Sequence, residues 1–98
     1  MAGATQLIRT DEAREEMLDI YGRLLDESEV FAEDWATEVS TKTELLLKFP
    51  EMGRMVPEKD IRFMREVFAG RYRIIYTYLN GTINVVAVRH TSRSLGRL

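Results

Sequence analysis

Apolar residues recur at steps of three and four along the first half of the chain and at steps of two along the second. In the first half, Ala13, Met17, Ile20, Tyr21 and Leu24 mark one stripe of an amphipathic helix. Thr10 stands at its N-cap, with Asp11 and Glu12 complementing the helix dipole, and the pattern fades near Leu25 or Asp26. Ser28 can cap a second helix, in which Phe31, Trp35, Val39, Leu46 and Phe49 recur on one side, with Lys42 or Thr43 filling the gap. These aromatic residues are expected in the core. Pro50 stops the helix, because the residue before a proline is pushed out of helical geometry. So short a connection makes the two helices an antiparallel hairpin. Neither carries a basic face, which argues against a recognition helix for DNA. Gln6 to Arg9 is a short candidate strand ahead of them.

The second half begins with an irregular stretch, EMGRMVPEKD from Glu51 to Asp60, before IRFMREVF sets up the two-residue period. Ala69-Gly70 suits a turn, YRIIYTYL is rich in aromatic and β-branched residues, and Asn80-Gly81 is a strong hairpin signal before TINVVAVRH. The order is therefore β-α-α-β-β-β, an α+β domain with a helical hairpin packed on one face of a small antiparallel sheet. A two-residue Asn80-Gly81 loop pairs Leu79 with Thr82, Ile75 with Val86, Arg73 with Val88 and Arg71 with His90. That register places Arg71, Arg73, Ile75, Val86, Val88 and His90 on one face and gives the opposite, more apolar face, with Arg89 at its end, to the helices. A two-residue Ala69-Gly70 loop would set Glu66 directly opposite Arg73, an ion pair that orients the arginine.

Composition narrows the function classes. Ninety-eight residues, 45% hydrophobic and 31% charged, suit one domain with one modest core. There is no cysteine, hence no disulfide and no thiolate metal site, and a lone histidine gives no case for a metal. No apolar run approaches the ~20 residues of a bilayer span, and the first residues do not read as a secretion signal, so a cytoplasmic protein is expected. The net charge of −2 hides an asymmetry: residues 1–53 hold 5 Lys/Arg and 13 Asp/Glu, residues 54–98 hold 9 and 3. An acidic half joined to a basic half suggests either a face that meets a charged partner or merely solvated helices beside an arginine-bearing sheet.

LLLKFPEMGRMVPE, REVFAGRYRIIYTY and INVVAVRHTSR, in that order, resemble the RelE/ParE toxin superfamily of bacterial type II toxin–antitoxin systems, also called plasmid stabilization proteins. The likeness spans nearly the whole chain, from the strand before Thr10 to Arg93, and rests on the proline-ended helix, the Gly-Arg-x-x-Pro-Glu loop, the Tyr-Arg-Ile-Ile-Tyr strand and the terminal His-x-x-Arg. It implies a single toxin domain over residues 1–98, neutralised by a cognate antitoxin that wraps a disordered segment around it. No cofactor is implied, and homodimerisation stays open.

The resemblance leaves two activities. A RelE-like member would be a metal-independent endoribonuclease acting on the ribosome and its mRNA, with Glu58 as base, Arg73 on the phosphate and His90 in or beside the acid's place. A ParE-like member would instead bind DNA gyrase, and Arg54, Arg71, Arg73, Arg89, His90 and Arg93 would contact the target or the antitoxin. The acidic balance and the absence of any aromatic residue after Arg89 favour the ParE side, since a nuclease of the ribosome needs cationic surface and a stacking ring. Arg97 offers one more cation for an acidic antitoxin.

Overall fold

The computed structural model describes residues 3–96; Arg97 lies outside them. The elements run β1 (Gln6–Arg9), α1 (Asp11–Glu27), α2 (Glu29–Lys48), β2 (Arg54–Met55), β3 (Met64–Ala69), β4 (Tyr72–Leu79) and β5 (Thr82–His90). They form an α+β fold in which the helical hairpin packs on a five-stranded sheet of order β1-β5-β4-β3-β2. The sheet is mixed, not antiparallel throughout: β1 runs parallel to β5, while the other neighbours are antiparallel. β2, two residues inside the stretch expected to be irregular, adds the far edge.

Capping explains the hairpin. Ser28 alone separates the helices; its N–H closes α1 on the Leu24 carbonyl (2.8 Å), and its Oγ accepts from Phe31 N (3.2 Å) to open α2. Thr10 opens α1 the same way, accepting from Ala13 N at 3.1 Å. The buried residues of α2 are Ala32, Trp35, Val39, Thr43 and Leu46, so Thr43 fills the gap in the stripe. Phe31 and Phe49 are not core as expected, being 61% and 59% exposed: Phe31 sits one step off the buried stripe at Ala32, and Phe49 is the C-cap, already outside helical geometry. The core between helices and sheet gathers Ala13, Ile20, Trp35, Leu46, Ile74 and Tyr76 among others.

Two registers differ from the expected ones. The β3–β4 turn is Gly70-Arg71, with Ala69 opposite Tyr72. Gly70 has φ +59 and Arg71 does not enter the left-handed region, the pattern of a type II′ turn with glycine at its first central position. An Ala69-Gly70 turn would put alanine there. Phe68, and not Glu66, is therefore opposite Arg73. The slip is by a whole two-residue period, so Glu66 and Arg73 still share a face.

The second difference has larger consequences. β4 and β5 pair as expected from Leu79–Thr82 to Thr77–Asn84, then a bulge leaves Val86 unmatched: Tyr76 pairs with Val85 but Ile75 with Ala87. The bulged carbonyl is satisfied from outside the ladder, accepting from Thr10 Oγ1 at 3.3 Å. Beyond the bulge every β5 side chain changes face relative to the simple register. Val88 joins the helix-side core, and Ala87 joins Ile75, Val56, Met64 and Leu95 in a second cluster on the other face. That second face is closed by the loop around Val56 and by Leu95, which is 1% exposed.

Candidate functional site

Arg73 lies on the closed face and is almost wholly withdrawn from water, its side chain 7% exposed. Its Nη2 donates to both Glu58 oxygens at 3.0 Å. Its Nε lies 3.1 Å from Glu66 Oε1, an ionic contact without hydrogen-bond alignment. The other Glu66 oxygen accepts from Arg54 Nε at 2.6 Å, and the Arg54 guanidinium sits 5.2 Å from the Phe68 ring centroid. The network thus alternates Arg54, Glu66, Arg73, Glu58, two cations with two carboxylates, and ends where Glu58 Oε2 accepts from Leu95 N (3.4 Å). Burial of such charges is tolerable only because each is paired.

Chemically, the pairing uses up what a nuclease would need free. The hydrogen bond from Arg73 holds the Glu58 carboxyl below its usual range, outweighing the opposing effect of desolvation. A carboxylate so stabilised is a poor proton acceptor. Glu58 and Arg73 are brought together as the sequence suggested; His90 is not.

His90 pairs across the ladder with Tyr72 on the helix side, their rings edge-to-face at 5.3 Å. Tyr72 in turn meets Trp35 edge-to-face at 5.6 Å. The expectation that Arg71, Arg73 and His90 share a face is corrected by the Val86 bulge, which turns His90 away from Arg73. His90 Nδ1 accepts from Ser92 N at 3.1 Å and lies 2.7 Å from Ser92 Oγ. Arg89, expected on the helix face, pairs with Arg73 in register instead. Its guanidinium reaches the edge, donating to Glu16 Oε2 (2.6 Å) and to the Leu95 carbonyl (2.9 Å). Glu16 also accepts from Val88 N, so it fastens α1 to the end of β5.

The remaining cations border two grooves that meet at Tyr72 and His90. One, of about 520 Å³, lies between the hairpin tip and the β3–β4 turn and is lined by Leu24, Phe31, Trp35 and Arg71. The other, of about 410 Å³, runs between α1 and the β5 end, past Asp19, Arg23, Ser92 and Arg93. Arg54, more than half exposed, is on the far edge and joins neither. Sequence reasoning missed Glu16, Tyr72 and Trp35 as parts of this end of the molecule; the helix stripe that holds Trp35 and the helix-facing side of the strand that carries Tyr72 were the available signals.

Comparison with known proteins is consistent with this architecture. A family model described as the ParE toxin of the type II toxin–antitoxin system parDE matches residues 7–95. Curated proteins give no match. Among solved structures, a chain of the chromosomal ParDE toxin–antitoxin system from P. aeruginosa superposes with a TM-score of 0.70, covering 87% of this chain and 94% of that one at 12% identity, a likeness of fold. The sequence resemblance, the helical hairpin that follows β1 and precedes the remaining strands, and a family match over nearly the full length agree: the chain belongs to the ParE toxin family of type II toxin–antitoxin systems.

Proposed function

We propose that this family member acts by binding a target protein, DNA gyrase, and not by cutting RNA, and that a cognate antitoxin neutralises it. The observation that carries the reading is the enclosure of Arg73. Cleavage through the 2′-hydroxyl needs a base, an acid and a cation converging on one phosphate. Here the cation is held between Glu58 and Glu66 under Leu95, and the imidazole is on the opposite face. An overall charge of −2 gives no electrostatic help against a ribosomal substrate.

Arg71, His90 and Arg93, around the two grooves, are the proposed contacts with target or antitoxin, with Arg54 as a separate contact on the far edge. Arg73 and Arg89 act through position, fixing the sheet end and the tail that carry those contacts. The test is a supercoiling reaction with purified gyrase, run beside ribosomes loaded with a defined message. Loss of supercoiling with the message intact is expected, and the doubly substituted R71A/R93A protein should need about tenfold more to inhibit. A cut message with supercoiling unaffected would overturn the reading.

A further inference from the structure

A third groove carries an unanswered charge. Arg9 closes β1 on the same side as Leu7, so its side chain passes under the helical hairpin. There it borders a groove of about 240 Å³ walled by Met17, Leu18 and Tyr21 of α1 and by Trp35, Ala36 and Val39 of α2. Its Nε is shut off from solvent and has no hydrogen-bond partner. Among the described residues no carboxylate is within ion-pair distance of it. Arg65, Arg73 and Arg89, the other arginines drawn into the protein, each have one. The contrast is sharp because residues 11–48, the hairpin above Arg9, carry 12 acidic side chains, none of which pairs with it.

We propose that this groove docks a peptide segment of a protein partner that presents a carboxylate beside an apolar side chain, the carboxylate pairing with Arg9. A guanidinium without an anion is an incomplete site, and pairing it in a partly dry setting gives a charge-assisted hydrogen bond. A single cation among walls that are apolar but for Ser40 and the Tyr21 hydroxyl suits one carboxylate with an apolar neighbour better than a phosphate, which gathers several cations. The volume is below the roughly 300–1,000 Å³ of small-molecule pockets and fits inserted side chains. Leu18, 70% exposed on the rim, offers the apolar contact. The site is defined without reference to gyrase and stands or falls separately from that target.

Trp35, the single tryptophan, lines the groove and reports its occupancy by fluorescence. The probes are acetyl-Leu-Glu-Phe-Leu-amide and its glutamine counterpart, titrated into the full chain. The acidic peptide should change Trp35 emission saturably and bind about tenfold more tightly than the neutral one. Arg9→Gln should abolish that preference, and Leu18→Ala should weaken both peptides alike. Without peptide, R9Q should melt no lower than the parent protein, since the cation it removes had no partner. Equal binding of the two peptides, no saturable change with the acidic one, a preference that survives R9Q, or an R9Q melting point several degrees lower would each overturn the proposal.

Discussion

Replacing Glu66 by glutamine keeps the shape of the side chain and removes the one charge that links two arginines. Glu66 is fully enclosed, its side chain 0% exposed, between Arg54 Nε at 2.6 Å and Arg73 Nε at 3.1 Å. The two arginines respond differently to its loss. Arg54 is 58% exposed and can turn to water, so its share is small. Arg73 is 7% exposed and cannot; it keeps Glu58 but loses the carboxylate facing its Nε. Breaking a buried pair costs about 3–5 kcal/mol when the survivor has no other partner. With Glu58 still in place, the low end, about 3 kcal/mol, is the expectation for E66Q. In a domain of this size that corresponds to a fall of about 12–24 °C in melting temperature. Urea and thermal unfolding followed by Trp35 fluorescence and far-ultraviolet circular dichroism measure it. Arg73→Met with Glu66→Leu should recover much of the loss, because the two fully buried charges go together and Glu58, a third exposed, can turn its carboxylate to water. An E66Q protein within about 0.5 kcal/mol of the parent would refute the reasoning, since that is the range of a surface change without a buried role.

Other consequences are open to the same instruments. Thr10→Val removes both the α1 cap and the donor to the bulged Val86 carbonyl, and should destabilise by about 1–2 kcal/mol in urea titrations. Tyr76→Phe should cost about 1–3 kcal/mol, because the buried hydroxyl both donates to the Pro50 carbonyl (2.7 Å) and accepts from Gly53 N (3.1 Å). Gly53→Ala should also loosen this loop, since a Cβ there would come within 2.6 Å of the Glu66 carbonyl and 2.7 Å of the Tyr76 hydroxyl. For Glu58, whose folded-state pKa is lowered by Arg73, the stabilisation is complete above the ordinary carboxylate range and is lost as pH falls through the lowered value. Melting temperatures from pH 7 down to pH 3 should therefore drop less steeply in Glu58→Gln than in the parent.

What could be read in the sequence, and what could not, follows from how locally each feature is determined. The helices are set by side chains within a turn of each end, Thr10 with Ala13 and Ser28 with Phe31, and so were legible. Asn80-Gly81 likewise fixes its own turn, with φ +52 and +77. The bulge is different. Val85, Val86, Ala87 and Val88 are all apolar, so alternation cannot mark which of them steps out of the ladder, and the group that stabilises the step is a hydroxyl 76 positions earlier. Missing that one residue moved Val88, Arg89 and His90 to the wrong face. The Glu66–Arg73 contact survived a wrong turn because the slip preserved parity. Arg9 left no signal, because an absent partner has no sequence pattern.

The central claim, binding without RNA cleavage, is tested most directly inside the cell. Induced expression of the protein, with incorporation of labelled thymidine and labelled amino acid followed side by side, separates the two activities by which process stops first. Thymidine incorporation should fail first, with filamentous cells and intact messages. Early loss of amino-acid incorporation, with cut mRNA and replication continuing, would contradict it.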